Sequence, residues 1–447
     1  MPAIPVNPVV APIVVQTAAD SSGGARVRSD SAATGTTIDT LEKIKTFIDA
    51  SIPKGKEGEF KSYILEEKIL DDLEGEGKNA WGLAHAMAAA HFLDVDAKSG
   101  SIESAKNAEA IQKGIKNIIE AKMASDPDFN INASVGPDAK TFLILAAHFN
   151  LTDVALFLIE KGVNPLEKDI FRQTAAMKAA ATGSSEAFNV LLQWAIKETL
   201  REERNNPRIR FAETTLGKSL SGKSQQLWTV LHYAANKGSA EILKSIFKLA
   251  GEEGMIAPAM LLDLLGAGEQ SGRTPLGVAA AKGKDGAVKA IMDFVKEHAP
   301  QRKNEFMQAT DNYDNRAIDD AVRFGHLEAV KALCLYGPDL RRPNGIGETP
   351  LAAVDRLHIE ERRIHGLIAE SKKTSRSTAV GQEFDPEVRN FLVSAGINKH
   401  LDRNIRNKMQ RQATAEAMAR KTFGKMHDFL KGEAPASTRG VATAAAN

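Results

Sequence analysis

The sequence predicts an all-α protein built as a stack of repeated helix pairs, and three observations predict it. First, a ten-residue pattern recurs: TFLILAAHFN from Thr141, TAAMKAAATG from Thr174, TVLHYAANKG from Thr229, TPLGVAAAKG from Thr274, RAIDDAVRFG from Arg316 and TPLAAVDRLH from Thr349. Second, Thr141 and Thr174 stand 33 residues apart, as do Arg316 and Thr349, while the remaining intervals of 55, 45 and 42 leave room for insertions. Third, an apolar run follows the pattern in each unit: DVALFLIEKG, EAFNVLLQWA, AEILKSIFKLA, GAVKAIMDFV and HLEAVKALCL, with a late sixth at PEVRNFLVSAGIN. Each unit reads as two helices. A Thr caps the first, Pro suits its first turn, Ala lets neighbours approach closely, and Gly stops it.

With T-P-L-G-V-A and T-V-L-H-Y-A at this period, the chain resembles the ankyrin repeat family. The resemblance spans residues 135–398 and departs from the family pattern in the insertions. It implies an ankyrin-repeat solenoid of about six units, flanked by N- and C-terminal helical caps. It also implies protein binding on a concave face formed by turn fingers and first helices.

Composition sets the outer limits. The 447 residues carry 58 Lys and Arg against 57 Asp and Glu, a net charge of +1 that provides no overall drive towards nucleic acid. Aromatics are 6% and strand patterns are scarce. The single Cys334 excludes an internal disulfide framework and is expected in the core of a second helix. No apolar run reaches the length of a membrane span.

In chain order, residues 1–36 are rich in Pro, Ala, Ser and Thr and read as a disordered tail. Residues 37–134 form a helical region: LEKIKTFIDA after Thr40 has apolar residues at helical spacing, WGLAHAMAAAHFLD from Trp81 is small-residue rich, and IQKGIKNIIEAKM from Ile111 resembles a second repeat helix. His85, His91, Asp94 and Asp96 lack the density of a ligand set, so no metal is assigned. Residues 135–398 are the array. Inside it, Gly217–Ser224, GKSLSGKS, matches a phosphate-binding loop in full, yet no buried strand precedes it. It is read as a flexible basic loop, with no nucleotide cofactor. IAPAMLLDLLGAG, from Ile256, is an extra apolar helix, while His358, Glu361 and His365 are read as a solvated face. Residues 399–432 carry nine Lys or Arg and three Asp or Glu with two apolar stripes, a basic amphipathic helix pair suited to capping or, over 399–431, to membrane contact. Residues 433–447 form a second disordered tail.

On the concave face the reading places His148, Phe149, Trp228, Lys237, Lys282, Tyr313, Arg323 and Phe324 as partner-binding residues, mixing exposed aromatics with a basic row. The expected partner is a protein with an acidic or mixed surface, bound by a monomer without catalytic residues, in the cytoplasm. The tails and worn repeats are similar in style to bacterial effectors secreted into host cells. Two alternatives stay open: an enzymatic activity in the N-terminal helical region or the insertions, and a peripheral membrane adaptor.

Overall fold

The computed structural model describes residues 38–66, 78–127, 129–250, 255–356 and Met426. The two tails, the sixth unit beyond residue 356 with His358, Glu361 and His365, and the basic segment 399–432 apart from Met426 lie outside the described residues. Met426 is helical, fully buried and part of the core.

Each described repeat is a helix pair: α5 (Phe142–His148) with α6 (Thr152–Glu160), α7 (Ala175–Thr182) with α8 (Ser185–Asn205), α10 (Val230–Lys237) with α11 (Ala240–Lys248), α13 (Pro275–Ala281) with α14 (Asp285–His298), and α16 (Ala317–Arg323) with α17 (Leu327–Cys334). Residues 350–356 begin a sixth. First helices of seven or eight residues are too short to persist alone, so their order comes from stacking. Each packs on the next first helix, and second helices do the same. The contact is lined by small buried residues, Ala146, Ala147, Ala179, Ala180, Ala234, Ala235, Ala279 and Ala280.

The caps follow the sequence. Thr141, Thr174 and Thr274 accept from the backbone N–H three residues on, at 3.2, 3.4 and 3.3 Å. Gly183 and Gly238 end α7 and α10 at φ 82° and 85°, where a side chain would be strained. In the first repeat Asn150 takes that place at φ 55°.

The N-terminal region is α1 (Leu41–Ser51), α2 (Glu57–Glu66), α3 (Lys78–Lys98) and α4 (Ile102–Ser125). Among these, α3 packs on α5 and α4 on α6, so the pair continues both layers of the stack without a Thr-capped signature. Cys334 is half-buried against the core. Strand among the described residues is confined to a two-residue hairpin, β1 (Ser134–Val135) with β2 (Lys140–Thr141), at the first finger.

The insertions are folded. Helix α8 runs through KETLREERN and is followed by a 3-10 turn at Phe211–Glu213 and by α9 (Thr215–Ser221), which packs on α8 and α10. Glu202 of α8 accepts from the Thr215 N–H and hydroxyl at 2.7 and 2.8 Å, and Thr199 accepts from Leu216 N–H at 2.9 Å. Helix α12 (Pro258–Gly266) lies on α13 and α14 as the extra apolar helix. The interval of 42 before the fifth repeat holds a further element, α15 (Lys303–Gln308), which adds Phe306 and Met307 to the core.

Candidate partner-binding face

Ahead of each first helix after α5 the chain makes a five-residue finger. Asp169, Ser224, Glu269, Asp311 and Asn344 open them. Their N–H groups donate to the carbonyls of Gln173, Trp228, Arg273, Asn315 and Glu348 at 2.8–3.0 Å. Polar side chains at the opening position close the turn from inside. Asp169, Asp311 and Asn344 each accept from two backbone N–H groups of their own finger. The fourth residue of each finger takes positive φ, whether it is Arg172, Leu227, Gly272, Asp314 or Gly347.

Neighbouring fingers are joined by backbone bonds: Ile170 N–H to Asp138 O, Gln225 to Phe171, Gln270 to Gln226 and Asn312 to Ser271, at 2.8–3.1 Å. Their tips therefore form one row. It exposes Ile170, Phe171 and Leu227 at one end, and Tyr313 (70%) and Ile346 (72%) at the other. The finger between these groups is polar, with Gln270, Ser271 and Gly272 at its tip.

In the second, third and fourth fingers the last residue, just before the capping position, reaches forward along the stack, while Asn315 and Glu348 bond within their own repeats. Gln173 donates to Tyr233 Oη at 2.7 Å. The Trp228 indole lies near Glu269 of the next finger, and its ring packs 5.1 Å from that of Tyr233 in its own repeat. Arg273 donates to Asp320 at 2.7 Å and sits 3.6 Å from Asp311. Burial pushes the Asp320 carboxyl above its usual range, against the pull of Arg273. These side chains join repeat to repeat.

The eight expected contact residues therefore divide. Lys237, Lys282, Tyr313, Arg323 and Phe324 are exposed, and Lys237, Lys282 and Arg323 make no ion pair among the described residues. Arg323 lies over the Phe324 ring, 5.6 Å from its centroid. Three of the eight are not exposed, contrary to expectation. Phe149 is 2% exposed, because it packs against His91 and Tyr63 of the N-terminal helices. His148 is half-buried, edge-on to Phe149. Trp228 is half-buried because it serves the inter-repeat contact just described.

His232 is the buried counterpart of this row. Its Nδ1 lies 2.9 Å from Thr229 Oγ1, and its Nε2 lies 3.2 Å from Arg273 O in the next finger. The neutral ring with the proton on Nε2 satisfies both contacts. Burial pulls its pKa down to about 4.

The stretch 231–344 matches the family model described as ankyrin repeats in three copies. The chain carries ankyrin repeats. The crystal structure of the ankyrin repeat domain of Bcl-3, described as a unique member of the IkappaB protein family, is similar over 59% of this chain and 92% of its own, at 19% identity and a TM-score of 0.38. No curated protein matches the chain. Ankyrin repeats are in general protein-interaction scaffolds.

Within the ankyrin array, GKSLSGKS is a helix and its end, not the flexible basic loop expected. Gly217, Ser219 and Leu220 are buried in α9, and Ser224 opens the third finger. A Cβ at Gly217 would lie 1.8 Å from Phe211 O, so this glycine serves close packing. The backbone N–H groups that would cradle a phosphate are spent inside the helix: Gly217 donates to Thr214 Oγ1 at 3.0 Å, and Gly222 to Lys218 O at 3.0 Å. Calorimetry with Mg-ATP and Mg-GTP should therefore give no micromolar binding for the wild type and no difference in Lys223→Ala. Micromolar binding lost in that variant would overturn the assignment.

The N-terminal His and Asp residues are engaged in packing and pairing. His85 meets Phe60 edge-on, Asp94 pairs with Lys98, and Asp96 holds both Lys56 and Ser104. The forward-reaching residues were missed by sequence reasoning. Their signal was available: an acidic, hydroxyl or amide residue opening each finger, four positions after which a polar or aromatic side chain precedes the cap.

The sign of the His232 effect on stability is fixed by its lowered pKa. An unfolded His titrates near 6.5 and this one near 4. Stability is thus fully present above pH 6.5 and is lost as pH falls through 6.5 towards 4, by about 2 kcal/mol at pH 5. Burial also lowers the pKa values of His85, His91 and His326, which adds in the same direction. Thermal melts from pH 7.5 to 5 should fall steadily, and His232→Asn should start lower but fall less. Equal slopes would remove His232 from the account.

Proposed function

We propose that the array is a non-enzymatic docking surface for a protein with an acidic or mixed surface. Contact is made by the finger tips and by the C-terminal ends of the first helices. One observation carries this reading: exposed apolar tips, Phe171, Leu227, Tyr313 and Ile346, precede the first helices, whose C-terminal ends carry the exposed cations Lys237, Lys282 and Arg323. Aromatic and Arg side chains are the types that dominate interface energies, and a row of one sign steers an oppositely charged partner.

The test is partner capture by the full chain and by Tyr313→Ala/Arg323→Glu. Neither residue is buried, so the melting temperature should hold, while affinity should fall by roughly a thousandfold if two hot spots of about 2 kcal/mol each are lost. Capture that survives the double change places the site elsewhere on the chain.

We also propose a cytoplasmic monomer, delivered into a host cell in the manner of a bacterial effector. Tail composition supports delivery, and fusion of each tail to a translocation reporter tests it. For residues 399–432 the burial of Met426 favours a capping role over membrane contact, since one residue of the second apolar stripe is already turned into the core.

A further inference from the structure

We infer that the partner of the basic row is an acidic segment in the polyproline II conformation, with a carboxylate at every third residue. This rests on the docking face proposed above and names what fits it.

Lys237, Lys282 and Phe324 stand at one equivalent position, eight residues after the capping residues Thr229, Thr274 and Arg316. Lys237 ends α10, Lys282 follows α13 and Phe324 follows α16, on three successively packed first helices. Arg323 precedes that position by one residue but folds back, placing its guanidinium over the Phe324 ring. A positive group thus tops each of three adjacent repeats. The carboxylate next to Arg323 is withdrawn: Asp320 is buried and held by Arg273 at 2.7 Å.

Packed helices lie about 8–10 Å apart, and alanine-lined contacts such as Ala234, Ala235, Ala279 and Ala280 keep the distance short. A polyproline II chain returns to the same face every three residues, about 9.3 Å. An extended strand returns every two, about 6.6 Å, and falls out of step at once. An α-helix returns after seven, about 10.5 Å, and drifts with each repeat. Phe324 supports the choice independently. It is 45% exposed, and its ring with the Arg323 guanidinium forms the kind of aromatic surface on which proline rings pack.

The test uses the full chain and three fluorescein-labelled peptides of equal charge. One carries Glu at every third position with Pro between, one carries the same residues with Glu at alternate positions, and one is an Ala-rich helix with Glu at heptad spacing. Fluorescence anisotropy should show the third-residue peptide binding at least tenfold more tightly than either other. Lys237→Glu/Lys282→Glu should abolish that preference at an unchanged melting temperature, and Phe324→Ala should weaken it. Equal binding of all three peptides, which is bulk charge attraction only, overturns the inference, as does no binding at all or a preference for the helix. If Tyr313→Ala/Arg323→Glu loses a captured partner while the peptides show no preference, the docking face stands and its polyproline occupant falls.

Discussion

Leu276→Asp should unfold the ankyrin array as a whole. Leu276 is 1% exposed in α13, which packs on α10 before it, α16 after it, and α12 and α14 beside it. A carboxylate placed there has no cation to meet, and an uncompensated buried charge costs about 3–5 kcal/mol. That is comparable with the net stability of an ordinary domain, about 5–15 kcal/mol. Because each repeat is held mainly by its neighbours, the loss at the fourth spreads to both sides. Circular dichroism should show a transition lowered by tens of degrees or absent at room temperature. Leu276→Ala, which leaves a cavity rather than a charge, should melt cooperatively at an intermediate temperature. A wild-type melt for Leu276→Asp would mean that the repeat register is wrong.

The register was legible because it is local. Thr at the cap, small residues in the next two turns and Gly or Asn nine positions after the cap are read within ten residues, and the structure places α5, α7, α10, α13 and α16 on them. The extra apolar helix α12 was legible for the same reason. Illegible features depend on partners distant in sequence. GKSLSGKS looks like a loop until Thr199 and Glu202 of α8 are seen to receive the first N–H groups of α9. Helix α15 has too few residues for a periodic signal. Trp228 was expected to be exposed because a residue before a cap can face either solvent or the next repeat. Only the position of Glu269, in the next finger, decides between them. Phe149 is buried for the same kind of reason, since Tyr63 and His91 come from helices without a repeat signature. On the candidate face, the exposed cations and Phe324 could be read from their place at helix ends, and Tyr313 from its place on a finger. The aromatics that bind repeat to repeat could not be told from those left free.

Arg316→Ala should be the second severe change, and the reason lies in a substitution of chemistry at two fixed positions. In the third repeat, Thr229 caps α10 and His232 returns the bond, with its far nitrogen on Arg273 O of the next finger. In the fifth, the same two positions are Arg316 and Asp319. Asp319 accepts from Arg316 N–H at 2.9 Å and from its guanidinium at 2.8 and 3.0 Å. The far guanidinium nitrogens reach Asp339 O at 2.7 Å and Arg342 O at 2.6 Å, ahead of the sixth finger. An ion pair thus replaces Thr and His: Asp319 keeps the bond back to the N–H at the capping position and Arg316 takes over the forward tie, although a guanidinium cannot accept a helix N–H as Thr229 does. Both side chains are almost wholly buried, so removing one leaves the other charge unpaired, at a cost of about 3–5 kcal/mol. Removing both should cost less than the sum, since no buried charge remains. Arg316→Thr/Asp319→His should recover more still, because it restores the pairing of the third repeat. A double-mutant cycle by urea unfolding measures this directly. Additive losses for Arg316→Ala and Asp319→Ala would mean that the two side chains act separately and that the forward tie to residues 339–342 carries the stability alone.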